Sequence, residues 1–171
     1  SMWLLSGLFG CTGAVDSGET TINGDCSGEP MVEIGDGNDP FVAIEGNADH
    51  TMTHGPQGGW HMLASVRVTN TDDIISIHYA IDTLPEESRV SDNNYRVQLK
   101  DVGNCQGTYW NMYGYLNVES LINGEADTPP ELLCGKTMRL TMEIEDGDGK
   151  GGSASMEVKA LNDAADPCGM Q

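Results

Sequence analysis

The residues best suited to chemistry lie close together in residues 50–62, which read H-T-M-T-H-G-P-Q-G-G-W-H-M. Three of the four histidines of the chain fall in this run. Imidazole nitrogen combined with thioether sulfur favours copper over zinc or magnesium, because sulfur is a soft ligand. The residue types therefore nominate a copper site formed by His50, Met52, His54 and His61.

The elements that would position these side chains are the two strands of a β-hairpin, and their register decides between two interpretations. If residues 55–59 form the connection, His54 lies opposite Trp60 and joins an apolar, core-facing stripe. If Trp60 also belongs to the connection, His54 lies opposite His61, with Cβ atoms about 5 Å apart, so that the two imidazoles can share a metal. Methionine on a strand is usually core filler. The sequence therefore favours a core hairpin and keeps copper binding as an alternative.

A second metal hypothesis concerns residues 145–149, which place Asp146 and Asp148 at alternate positions, and residues 36–39 are similar. Calcium takes six to eight oxygen ligands, and an EF-hand loop has more carboxylates and a closing Glu. Asp-Gly repeats are more often turns, because Gly adopts positive φ and Asp caps the bend. We expect turns here, with calcium binding as the alternative.

A row of aromatic residues offers a different kind of site. Tyr109, Asn111, Tyr113 and Tyr115 alternate along a predicted strand and are expected to share one face. Such a row can form a sugar-stacking platform, as on sandwich carbohydrate-binding modules, or a half-buried face whose hydroxyls reach water. The chain has no G-x-S-x-G, H-E-x-x-H or P-loop motif. The sequence predicts no catalytic residue, and a binding role rather than an enzyme.

Charge narrows the class of partner. The 171-residue chain has 27 acidic and 8 basic residues, a formal net charge of -19. So acidic a protein repels phosphate backbones, which excludes nucleic acid as an expected partner. No apolar run approaches the ~20 residues that a membrane-spanning helix needs.

The N-terminal segment carries a resemblance. Residues 8–11, Leu-Phe-Gly-Cys, resemble a bacterial lipobox, in which the cysteine becomes lipidated. The resemblance implies membrane anchorage through Cys11, a signal or lipobox remnant at residues 1–11 and a flexible acidic tether at residues 12–29. A short docked strand or helix with a buried Cys11 is the alternative.

With Cys11 assigned to the anchor, four of the five cysteines remain, and they allow three pairings. None lies in a C-x-x-C motif, so zinc-finger and thioredoxin-like sites are not indicated. We expect Cys105 to pair with Cys134, and Cys26 with Cys168, because the second bond would join the two ends of the domain.

The fold follows from period-two alternation of apolar and polar residues. Alternation is clearest in residues 138–144 and 154–160, which flank a Gly-rich turn. Residues 84–94 read as a polar loop, and residues 126–133 as a loop with one helical turn. Seven to eight strands with recurrent turns predict an all-β fold, an antiparallel Ig-like β-sandwich over residues 30–168.

Two further resemblances agree with this fold. Residues 135–161 resemble the terminal F and G strands of bacterial Ig-like and PKD-like domains. Residues 32–37 (V-E-I-G-D-G) and 55–61 (G-P-Q-G-G-W-H) are similar to elements of uncharacterised predicted lipoproteins of deltaproteobacteria. The second likeness implies an exported protein and no particular activity.

We therefore expect a non-catalytic extracytoplasmic binding or structural module of a secreted or lipid-anchored bacterial protein, in the periplasm, in the outer membrane or at the cell surface. Its partner would be a glycan or a protein, and copper and calcium are its candidate cofactors. A copper-binding protein and a carbohydrate-binding module are the two alternatives.

Overall fold

The structure is a computed structural model that describes residues 26–55, 59–117 and 130–162. Within these ranges the elements are β1 (Met31–Gly35), β2 (Asp49–His54), β3 (Trp60–Thr69), β4 (Ile74–Thr83), β5 (Ser88–Gln98), β6 (Lys100–Gly103), β7 (Gln106–Leu116), α1 (Pro130–Leu133), β8 (Thr137–Asp146) and β9 (Gly151–Asn162). In these ranges no helix is long and apolar enough to cross a membrane.

The strands follow the order β5-β4-β8-β9-β2-β3-β7-β6, and β1 pairs with β3 beside β2. Every pairing is antiparallel except that of β2 with β9. The path folds over into two layers, so that β7 faces β4. A Cβ atom on Gly114 would lie 2.6 Å from Ile81 Cδ1 and 2.8 Å from a ring atom of Tyr79. The predicted all-β sandwich is therefore confirmed, but it has nine strands rather than seven to eight, and the β2–β9 pair departs from the predicted antiparallel arrangement.

The core between the layers depends on methionine and branched aliphatic residues, since the chain has only two Phe. Met138, Leu140 and Met142 of β8 are fully buried, while the residues between them are partly exposed. This alternation follows from the strand geometry, in which successive side chains point to opposite faces. The final hairpin of β8 and β9 therefore forms as the sequence predicts.

The predicted loop at residues 84–94 is wrong from Ser88 onward, because β5 begins there and pairs with the whole of β4. β5 lies at one end of the strand order, and its outward face is polar. Within the predicted loop only Val90 is a deeply buried apolar residue, at 1 % exposure. Apolar alternation is too sparse here to reveal the strand.

The predicted disulfide pairing is also wrong. Cys26 is bonded to Cys105, and Cys134 is disulfide-bonded as well. These bonds replace the predicted pairs Cys105–Cys134 and Cys26–Cys168, and Cys168 itself lies outside the described residues. Disulfides persist in oxidising compartments, so the Cys26–Cys105 bond indicates an extracytoplasmic protein.

The topology explains this bond. Met31 of β1 and Gln106 of β7 both pair with Thr69, at the same end of β3. The residues just before β1 and the turn just before β7 therefore lie side by side. Residues 26–29, predicted as part of the tether, are fixed to the folded unit, while Cys11 and residues 12–25 lie outside the described residues.

Candidate functional site

The β2–β3 hairpin has the register in which His54 lies opposite Trp60. The Gly55 N–H donates to the Gly59 carbonyl at 2.9 Å, which closes the connection. His61 lies opposite Thr53. Because neighbouring residues on a strand point to opposite faces, His54 and His61 do not converge across the hairpin.

His50 has a structural role that involves the edge of β3. That edge pairs with β2 up to Met62 and with β1 from Ser65, which leaves Leu63 between the two partner strands. His50 Nε2 lies 2.7 Å from the Leu63 carbonyl oxygen. A carbonyl only accepts, so Nε2 carries the proton and donates. Burial lowers the pKa of His50, against the opposing effects of this hydrogen bond and of Asp36.

The other candidate copper ligands are also engaged in packing. Met52 is fully buried. The His54 ring packs on Trp60 with centroids 4.9 Å apart, and the His61 ring packs on Tyr113 at 4.8 Å. Burial, and then the nearby His54, lowers the pKa of His61. The described part of the chain contains no cluster of three or more His, Cys, Asp or Glu residues suited to a metal ion.

Asp146, one of the candidate calcium ligands, caps the β8–β9 turn. Its Oδ1 accepts from the backbone N–H groups of Asp148 at 3.0 Å and Lys150 at 2.8 Å, and its Oδ2 accepts from the Asp72 N–H at 3.4 Å. Partial burial, and then the charges of Asp146 and Asp148, raise the pKa of Asp72. This arrangement is that of a turn stabilised by a buried carboxylate, as the Asp-Gly composition favours.

The tyrosine row does not share one face, so that prediction is wrong for Tyr109. The β3–β7 register shifts between Ala64, which pairs with Met112, and Val66, which pairs with Tyr109. Two residues of β7 therefore lie opposite one residue of β3, which is a β-bulge. Tyr109 packs against the core, and Asn111 adopts a φ of 59° within the bulge.

Beyond the bulge, Tyr113 and Tyr115 remain together on the outer face of β7. Their rings are stacked, with centroids 5.7 Å apart and 15° between planes. Tyr115 is 59 % exposed. The Tyr95 hydroxyl donates to the Tyr113 carbonyl and so joins β7 to β5 across the sandwich. The tyrosine pair is therefore an exposed aromatic surface with a fixed support.

A groove of about 500 Å³ opens beside Tyr115, where β5 and β7 approach each other without forming a ladder. The Asn117 N–H donates to the Val90 carbonyl at 2.6 Å and closes one end. We name this feature the β5–β7 groove. Its described lining residues are Arg89, Val90, Ser91, Asp92, Asn93, Tyr115 and Asn117.

Ion pairs surround the β5 side of this groove. Arg89 Nε lies 2.6 Å from Asp82 Oδ1, and Arg89 Nη1 lies 2.8 Å from Asp92 Oδ2. His78 Nε2 lies 2.9 Å from the other oxygen of Asp92, and His78 Nδ1 lies 3.2 Å from Glu143 Oε2. Hydrogen bonds to Asp92 and Glu143 raise the pKa of His78, and the His78 bond lowers that of Asp92.

Sequence reasoning nominated Tyr115 but none of the β5 lining residues, because the start of β5 was predicted as loop. Val90 was the one apolar signal in that stretch. Most lining residues of the groove therefore lie on a strand, β5, that its polar composition did not allow the sequence to predict.

No protein-family model and no curated protein matches this chain. The weakly similar solved structures include the following two. The CooA pilin subunit from enterotoxigenic Escherichia coli has 9 % identity and a TM-score of 0.36, over 77 % of this chain and 98 % of that one. The N-terminal domain of PorA has 16 % identity and a TM-score of 0.27, over 76 % and 97 %. Likenesses at these TM-scores carry no argument about function.

Proposed function

We propose that the protein is a non-catalytic extracytoplasmic binding module whose ligand is a glycan held in the β5–β7 groove. The observation that carries this proposal is the position of Tyr115, which is 59 % exposed, stacks on Tyr113 and lines the groove. A groove of about 500 Å³ is in the range of small-ligand sites.

The tyrosine pair supplies the apolar part of such a site. The C–H face of a pyranose ring is apolar and packs against an aromatic ring, and a Tyr ring offers a large contact area with few rotatable bonds. Because Tyr115 is already stacked on Tyr113, little side-chain entropy remains to be lost on binding. Sugar binding would therefore explain why Tyr115 is exposed, since packing of the core does not require its ring.

Asn93 supplies polar partners for sugar hydroxyls, and Ser91, at 3 % exposure, holds it in place. Asn93 Nδ2 donates to Ser91 Oγ at 2.7 Å. This bond orients the Asn93 amide and leaves its carbonyl oxygen as an acceptor and its second N–H as a donor. A neutral acceptor and a neutral donor close to an aromatic ring match the alternating polar and apolar surface of a sugar.

The test is a glycan array, followed by calorimetric titration of the strongest ligands against three variants. Tyr115→Ala is expected to lose about tenfold in affinity, which corresponds to ~1.4 kcal/mol, whereas Tyr115→Phe retains the ring and most of the binding. Met31→Ala is the matched control, because Met31 is also 59 % exposed but lies on β1. A silent array, or equal affinity for wild type and Tyr115→Ala, would refute the proposal.

We also propose that the protein is attached to a bacterial membrane through a lipidated Cys11, because residues 8–11 resemble a lipobox. Expression of the complete gene in a bacterial host with a radiolabelled fatty acid tests this. Label is expected in the wild type and absent in Cys11→Ala, and an unlabelled wild-type protein would contradict lipidation.

A further inference from the structure

We infer that the β5–β7 groove prefers uncharged sugar residues to sugars that carry a carboxylate, such as uronic and sialic acids. The inference rests on the proposed function and names the ligand class of the same groove. It follows from the juxtaposition of Arg89 with Asp82 and Asp92.

Arg89 is the one cationic side chain among the described lining residues of the groove. Its guanidinium is already held by two carboxylates. Nε and Nη2 lie 2.6 Å and 3.5 Å from the two oxygens of Asp82, and Nη1 lies 2.8 Å from Asp92. A guanidinium recognises a carboxylate through its planar set of N–H donors. Asp82 occupies the fork formed by Nε and Nη2, so a sugar carboxylate could bind that fork only by displacing Asp82.

A second cationic side chain, which contacts Asp92, is committed in the same way. When protonated, His78 donates to Asp92 on one side and to Glu143 on the other. Arg89 and a protonated His78 thus face three carboxylates, those of Asp82, Asp92 and Glu143. The local charge around the groove is therefore negative, and the net charge of the whole chain, -19, has the same sign.

The remaining described lining residues are neutral, namely Val90, Ser91, Asn93, Tyr115 and Asn117. Hydroxyl groups of a neutral sugar need only a donor and an acceptor, which the Asn93 amide supplies. A sugar carboxylate brings a negative charge close to Asp92, and like charges a few ångströms apart repel by ~1 kcal/mol or more even in water. Selectivity for neutral sugars on the order of tenfold follows from that repulsion.

The experiment compares the strongest neutral ligand of the array with the same glycan oxidised at C6 to its uronate, by calorimetry at low salt. The neutral form is expected to bind about tenfold more tightly. A uronate that binds as well as, or better than, its neutral parent overturns the inference while leaving glycan binding intact, as does an array that responds only to acidic glycans. An array with no binder at all refutes the proposed function and this inference with it.

Two variants locate the selectivity. Asp92→Asn removes one negative charge from the groove and releases a donor of Arg89, so the preference for the neutral glycan should fall to about threefold or less. Glu143→Gln is the control, because it makes the same change of charge beside the same His78 but does not line the groove. An unchanged preference in Asp92→Asn, or an equal fall in Glu143→Gln, overturns the assignment. The wild-type comparison decides the inference even if Asp92→Asn does not fold.

Discussion

The β2–β3 hairpin and the β5–β7 groove use reactive side chains in opposite ways. The hairpin contains three of the four histidines, yet two of them, His50 and His61, are buried. The groove lies on a strand that reads as a polar loop, yet it gathers a hydroxyl, an amide, ion pairs and an exposed ring. The comparison shows that the strand face and the register of a residue decide whether it can contact a ligand. A run rich in His and Met does not by itself form a site.

The largest expected effect tests the structural role of the hairpin. Met52→Ala removes a fully buried side chain opposite Met62 and leaves a cavity. We expect a loss of about 2–5 kcal/mol in the free energy of unfolding, measured by urea denaturation. Glycan affinity of the folded fraction should not change. A stability loss below about 1 kcal/mol would mean that Met52 is not core filler and would reopen the question of a metal site.

His50→Ala is expected to have the next largest effect. The change leaves the Leu63 carbonyl without its donor, at a cost of about 1–3 kcal/mol. The variant should also lose the part of the pH dependence of stability that His50 causes. The folded pKa of His50 lies below the unfolded value, so its contribution to stability is present above pH ~6.5 and is lost as the pH falls through the folded pKa.

Melting temperatures of wild type and His50→Ala between pH 5 and pH 8 test both statements. His54→Ala is the matched control, since it removes an exposed histidine of the same strand. A wild type that becomes more stable on acidification through His50 would contradict the buried, neutral state of this side chain.

The regular strands could be predicted from the sequence, whereas the bulge in β7 and the disulfide could not. The β8–β9 hairpin and the core stripe from Met62 to Val68 were predictable, because their alternation is regular. The bulge at Asn111 was not, because a single extra residue leaves no compositional trace and reverses the face of Tyr109. The pairing of Cys26 with Cys105 depends on β1 and β7 flanking β3, and such long-range neighbours cannot be obtained from local patterns.

The bulge offers the third prediction, since it separates the core-facing Tyr109 from the groove-facing Tyr115. Asn111 adopts a φ of 59° and donates its N–H to the Gly37 carbonyl at 3.1 Å. Asn111→Val places a β-branched residue in a left-handed conformation and should cost about 1–2 kcal/mol, whereas Asn111→Gly should be tolerated. Denaturation curves of the two variants test this. Equal stability of both would mean that the bulge imposes no backbone restriction.

The smallest effect concerns His78, whose response to pH is opposite to that of His50. Asp92 and Glu143 raise its folded pKa above the unfolded value. Its contribution to stability is therefore fully present below pH ~6.5 and is lost as the pH rises through the folded pKa. The His78 side chain is 31 % exposed and its partners are more so, so we expect this contribution to stability to be only a few tenths of a kcal/mol.

The test is the free energy of unfolding between pH 6 and pH 8. His78→Gln should abolish the loss of stability that His78 causes as the pH rises, and 0.5 M salt should weaken that loss in the wild type. If His50→Ala and His78→Gln instead changed the pH profile of stability in the same direction, the contrast between a buried neutral histidine in the hairpin and a paired cationic one beside the groove would be wrong.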